Sequence, residues 1–267
     1  MTVQALYTAA TGMQAMETKL DVIANNLANI NTTGFKKGRA NFEDLFYRHY
    51  TQPGAGDGQQ RSATGTSVGL GTRVSSIQTD FKQGASQLTG NQFDVAIEGN
   101  GFFQVQDVDG STQLYTRSGN FSVNANGALV LGSATAGRIV QPEVTIPTDA
   151  TSVSIQYDGR VMVTQPGQTS STEVGQLQIA TFLNPEGLLK HGENLYQETA
   201  ASGTNNLGNP GLEGRGLVKQ NALEASNVEP VQELIDLITT QRSFELNSQA
   251  VQAGDQVLSL VANLRRS

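Results

Sequence analysis

The chain has 267 residues and a formal net charge of -7. Charged residues make up only 15%, against a usual level of about 25%, and Asn, Gln, Ser, Thr and Gly fill the deficit. The length allows one large domain or two small ones. The acidic balance excludes a general nucleic-acid binder, and the absence of cysteine excludes both a disulfide framework and a thiolate metal site.

Residues 3–30 place Leu6, Ala9, Met13, Met16, Leu20, Ile23, Leu27 and Ile30 at alternating steps of three and four. This spacing predicts a helix roughly 40 Å long. Asn31-Thr32-Thr33-Gly34 is its predicted stop, with Gly34 free to take positive φ. Gly12 weakens the interior by about 1 kcal/mol relative to Ala. Asn25, Asn26, Asn29 and Asn31 are poor helix formers, but polar groups beside an apolar seam can fix its register. The opening residues lack a basic leader and a continuous apolar run, so no cleavable secretory signal is predicted. No stretch approaches the roughly 20 apolar residues of a membrane-spanning helix.

Residues 35–50 carry the aromatics Phe42, Phe46, Tyr47 and Tyr50, which can anchor a segment to a surface. Composition alone predicts a flexible linker over 52–71. From 74 to 224 the apolar period becomes two. Short strands are predicted at 102–108, 114–116, 121–123, 129–131, 153–157, 161–163 and 177–182. Asp109-Gly110, Asn126-Gly127 and Asp158-Gly159 supply tight hairpin turns. Residues 200–216 are rich in Gly and Asn, and 217–223 form an extended run.

A second helix is predicted from Pro230 to Leu264, with Asn227 as its N-cap. Leu237, Phe244, Val251 and Leu258 recur every seven residues. The apolar stripe drifts, however, from Val231, Ile235 and Ile238 through Phe244 and Val251 to Val257, Val261 and Leu264, which suggests more than one neighbour. The predicted fold class is α+β: an antiparallel β domain in the chain middle, with N- and C-terminal helices forming a coiled-coil-like discontinuous domain. The domain division is 1–30 with 229–267, an extended connecting segment at 31–73, and a β-rich part at 74–228.

Catalytic chemistry is not predicted. Gly65-Thr66-Ser67-Val68-Gly69 matches a nucleophile elbow, but no apolar strand precedes it and no helix follows it. His49 and His191 are the only candidate bases, and two histidines without cysteine leave little for a transition metal. Gly99-Asn100-Gly101 precedes a strand rather than a helix, so a turn or bulge is expected instead of a dinucleotide site. Asp107 and Asp109 lack calcium-loop spacing. No cofactor is expected.

For an arbitrary protein, two end helices would by default cover the β body. Here Gly-rich segments separate them from it, and isolated helices gain most of their stability from packing. Pairing of the two ends with each other, and with copies from neighbouring subunits, is the favoured reading. Leu6, Ala9, Met13, Met16, Leu20, Ile23, Leu27, Ile30, Leu237, Phe244, Val251 and Leu258 would form the seam.

Residues 21–36, DVIANNLANINTTGFK, resemble the signature of the flagellar rod and hook proteins of bacteria, carried here by Asp21, Asn25, Asn26, Asn29, Gly34 and Phe35. FDVAIEGNGFF at 93–103 and YTRSGNF at 115–121 resemble the start of that family's β domain, and LEASNV at 223–228 and QRSFELNS at 241–248 its C-terminal region. Ser243-Phe244 stands where Ala-Tyr is expected, and Asn221 where Gly is usual. Total length, the segment 47–71 and GENLYQET at 192–199 favour distal-rod members over the shorter proximal rod proteins and the longer hook proteins. The resemblance implies a helical homopolymer exported through the flagellar export apparatus without signal cleavage. Its implied partners are further copies of itself, proximal rod proteins, hook protein and the surrounding ring proteins, with no nucleic acid and no membrane insertion. It also implies terminal helices on the inner tube, an outer β layer, and a stiffening role for the segment that includes Gln52, Pro53, Gly54 and Gly71. A proximal rod or hook subunit is the alternative within the family. Outside it, the alternative is a secreted β-domain adhesin or binding module.

Overall fold

The computed structural model describes residues 2–54, 64–107, 109–110, 112–132, 137–167 and 170–264. The chain divides into two compact units. The first comprises Met1–Ala28, Gly38–Thr79 and Glu229–Ser267; the second comprises Asn29–Lys37 and Asp80–Val228.

In the first unit, helix α1 (Thr2–Ala28) runs against α2 (Pro230–Leu264). Strand β1 (Gly38–Asp44) pairs antiparallel with β4 (Thr72–Thr79), with an irregularity between Asn41 and Phe42. Beyond it, β2 (Tyr47–Thr51) pairs with β3 (Thr66–Gly69). The flexible-linker expectation for 52–71 is therefore corrected at its C-terminal end, where β3 is a paired strand; 55–63 lie outside the described residues. Composition misses this strand because Thr66, Ser67 and Val68 are exposed and show no buried alternation. Gly71 explains how the ribbon passes so close to α1. It takes φ 124°, and a Cβ there would fall 2.2 Å from Thr11 Oγ1.

The second unit begins with the turn 29–37 and continues through β5 (Ser86–Leu88), β6 (Val95–Glu98), β7 (Phe102–Gln106), β8 (Gln113–Thr116), β9 (Phe121–Val123), β10 (Leu129–Leu131) and β11 (Arg138–Gln141). It goes on through β12 (Ser152–Ile155), β13 (Arg160–Thr164), β14 (Thr172–Gln176), β15 (Ile179–Thr181), β16 (Leu189–Gly192), β17 (Leu195–Gln197), β18 (Asn206–Gly208), β19 (Leu217–Gln220) and β20 (Ala222–Glu224). Nine of these form one antiparallel sheet centred on β7, which pairs with β8 along one edge and with both β15 and β11 along the other. β12, β13 and β14 form a second sheet, while β19 pairs with β6 and β20 with β5.

Period two explains how β7 serves two cores. Phe103 and Val105 enter the main cluster with Leu114, Leu129, Val161 and Ile179, whereas Phe102 points into a smaller aromatic cluster with Tyr115 and Tyr196. The predicted turns form where expected: Gly110, Gly127 and Gly159 have φ of 69°, 83° and 83°. Asn221, at φ 58°, ends β19 and lets the chain change partner from β6 to β5; Asn tolerates this left-handed conformation better than most residues. The predicted strand at 177–182 is shorter, beginning at Ile179, although Leu177 is fully buried.

Candidate assembly surfaces

The α1/α2 seam is antiparallel, with its register fixed at three points. A Cβ added at Gly254 would meet Leu6 Cδ2 at 2.6 Å, and one at Gly12 would meet Asn247 Nδ2 at 3.0 Å. Asn26 Nδ2 donates to Glu233 Oε2 at 3.2 Å. Asn26 also clasps the start of β1, donating to the Gly38 carbonyl at 2.9 Å and accepting from its amide at 2.8 Å. Both Asn26 and Glu233 are buried, so this signature asparagine organises packing within the unit.

Of the predicted seam residues, Ala9 and Ile23 are buried, and Leu6, Met13, Met16, Leu20, Leu27, Leu237, Val251 and Leu258 are half-buried. Phe244 remains 37% exposed. Ile30 lies past the end of α1, in the second unit. On α2 the seven-residue row alternates with Thr240, Asn247 and Gly254, so half of this seam is small or polar.

The drift of the α2 stripe resolves into two faces. At roughly 100° per residue, Val231, Ile235, Ile238, Leu246, Val257, Leu260 and Leu264 fall within one broad arc opposite the Leu237–Leu258 row. These outward residues are exposed, Ile238 by 56% and Leu260 by 63%; the side chain of Val261 lies outside the described residues. A helix apolar on opposite faces requires neighbours on both. Leu6, Tyr7, Ala10, Val251, Gln252 and Asp255 also line an open hollow of about 480 Å³ beside the seam.

The strand ribbon is similarly uncovered. Phe46 is 87% exposed, and Tyr47, Tyr50, Val68 and Ile77 are also exposed. Arg48 lies over the Tyr50 ring at 5.2 Å. The Asp44 carboxylate, through a hydrogen bond and its charge, raises the Tyr47 hydroxyl above its usual pKa. An isolated two-stranded hairpin is marginal in water.

In the second unit, three charged side chains share one buried site. Lys36 Nζ donates to Glu224 Oε1 at 2.6 Å and to the Lys82 carbonyl at 2.7 Å. Arg117 Nη1 donates to Glu224 Oε2 at 3.3 Å, and its Nη2 to the Gly99 carbonyl at 2.8 Å. Gly84 N donates to Glu224 Oε1 at 2.9 Å. Burial lowers the pKa values of Lys36 and Arg117, opposed in each case by the Glu224 charge. Gly34, at φ 69°, donates its amide to the Glu224 carbonyl at 2.8 Å. Lys190 lies over the Phe35 ring at 5.8 Å. The sequence signals Gly34 but not this cluster, because Lys36, Arg117 and Glu224 are far apart in the chain.

Asn227 is not the N-cap of α2. Its Oδ1 accepts from the Lys37 amide at 2.8 Å, while the first turn of α2 closes from Glu233 N to Glu229 O at 3.0 Å. Of the other signature residues, Asp21 and Asn25 are exposed and Asn29 is half-buried. Gln52, Pro53 and Gly54 are exposed beside β2. Ser67 lies in exposed β3 in register with His49, a strand setting rather than an elbow. Gly99 and Gly101 make a turn ahead of β7 at φ 111° and 136°. Asp107 pairs with Arg138 at 3.4 Å. Among the described residues no group of acidic or histidine side chains is placed to hold a metal, and no helix is long and apolar enough to cross a membrane.

Three family descriptions fall on this architecture in order. Residues 6–36 match "Flagella basal body rod protein", 96–163 match the "Flagellar hook protein FlgE/F/G D1 domain", and 219–264 match "Flagellar basal body rod FlgEFG protein C-terminal". The chain is 43% identical over 263 residues to the "Flagellar basal-body rod protein FlgG" of Buchnera aphidicola subsp. Baizongia pistaciae, covering 98% of this chain and 100% of that relative. It is 44% identical to the protein of the same description in Agrobacterium fabrum, covering 97% and 98%, and 38% identical to that in Bacillus subtilis, covering 98% and 99%. The similarity spans both helices, the ribbon and the β unit, and the chain belongs to the flagellar basal-body rod protein family.

Proposed function

We propose that the chain is a structural subunit of the flagellar distal rod, whose copies assemble into a straight, rigid, hollow helical shaft that carries motor torque to the hook. The observation that carries this reading is the second apolar face of α2, which one chain leaves exposed along its length. A heterologous contact repeated without closing a ring makes a helical filament. Each large apolar side chain buried there supplies about 1.5–3 kcal/mol before ordering entropy is subtracted. Its other partners are the proximal rod proteins, the hook protein, the surrounding ring proteins and the export apparatus.

The β1–β4 and β2–β3 ribbon, with Gln52, Pro53, Gly54 and Gly71, is the segment that braces neighbouring subunits. Its exposed aromatics support this reading, since the outer β2–β3 hairpin would gain stability against a neighbour. The assembly seam is tested with Ile238→Asp and Leu27→Asp in the full chain. Both variants are expected to retain a folded β unit by circular dichroism and to lose polymerisation by electron microscopy. Normal filaments from both would refute helix-mediated assembly.

A further inference from the structure

The chain passes between its units at 28/29, 37/38, 79/80 and 228/229, and within the β unit three of these four exits meet at one side chain. Asn227 Oδ1 accepts from the Lys37 amide at 2.8 Å. Its Nδ2 donates to the Asp80 carbonyl at 2.7 Å and to the Lys82 carbonyl at 3.2 Å. The Asn227 main-chain amide donates to the Phe35 carbonyl at 3.4 Å, and the Asp80 amide to the Lys37 carbonyl at 2.9 Å. Asn227 itself stands two residues before the fourth crossing.

Only a side-chain amide offers an acceptor and two donors from one rigid plane. Asp would set a carboxylate against two carbonyl oxygens, and Ala would leave all three backbone groups without this partner. Three residues earlier, Glu224 ties Gly34, Lys36 and Gly84 to the same strand end. Single connecting strands have soft dihedrals and twist independently under load. Strands cross-linked at one point turn together.

We infer that Asn227 is a positioning residue for the stiffness of the assembled shaft: by fixing the exits at 37, 80 and 228 against one another, it makes the connections between the units turn as one. This rests on the rod-subunit reading and adds to it a residue outside both the helices and the ribbon.

The test compares full-length wild type with Asn227→Ala and Asn227→Asp. Three quantities are read: filament persistence length from electron micrographs, amide exchange at Lys37, and thermal melting of the β unit. Both variants are expected to polymerise into filaments with severalfold shorter persistence length, while the β unit still melts cooperatively at a temperature lower by several degrees. In Asn227→Ala, Lys37 exchange should rise about fivefold, the scale of one lost hydrogen bond. Asn227→Asp keeps the Lys37 acceptor and removes both donors, so it carries the test if the alanine variant does not fold. Straight wild-type filaments with equally stiff variant filaments would overturn this inference alone. Failure of the wild type to form straight filaments would overturn the rod reading and this inference with it.

Discussion

Glu224 balances two buried cations, and that asymmetry determines what each substitution costs. Glu224→Gln leaves Lys36 and Arg117 facing each other without an anion and is expected to destabilise the β unit by about 3–5 kcal/mol. Lys36→Met leaves the Arg117–Glu224 pair in place and should cost clearly less; urea denaturation of each variant measures the difference. The same unit should lose stability in alkali. Burial, with the Glu198 charge adding to it, pushes the Tyr115 hydroxyl up to about 12, and burial raises Tyr196 as well. A group whose folded pKa lies above its unfolded value binds extra protons in the folded state, so its contribution is complete below pH about 10 and is lost as pH rises toward 12. Lys36 works in the opposite sense below its ordinary value of 10.5, because burial lowers its folded pKa. Tyr115→Phe should therefore flatten the fall in stability between pH 10 and 12, as read from denaturation midpoints.

At the scale of elements, α2 carries an apolar face that one chain leaves exposed. Hydrogen exchange on a verified monomer should find fast amides over much of α1 and α2 and strong protection across β7 to β15; full protection of both helices would show that the pair is self-sufficient. The helices were legible in the sequence because three- and four-residue spacing survives without tertiary context, and the hairpins because Asp-Gly and Asn-Gly demand positive φ. The ribbon strands were not legible: β2 is exposed throughout and β3 everywhere but Gly69, so their residues never alternate between core and solvent. Asn227 misled for a related reason. Its position before Pro230 suits a cap, but its partners come from 37, 80 and 82, beyond any local window. Gly34 and Asn221 announced their backbone geometry directly, as the hairpin glycines did.

For the whole molecule, the proposed function turns on resistance to bending. Leu45 N donates to Gly71 O at 2.9 Å and Leu70 N to Phe46 O at 3.0 Å, so the chain ends flanking 47–69 already meet. Excising 47–69 should therefore leave β1–β4 intact, and the resulting filaments should bend visibly more than wild type in electron micrographs. Unchanged curvature would rule out a bracing role for the outer ribbon.

The mixed character of the helix seam bears on when such filaments appear. With Thr240, Asn247 and Gly254 alternating along its inner row, α2 holds α1 through a lean interface, and its richer apolar face looks outward. In the helical filament proposed above, a chain arriving at an existing end would meet more neighbours than one that meets a single free chain. Starting such a filament would therefore need a concentration well above the one at which existing ends grow, and growth would belong to ends that are already there.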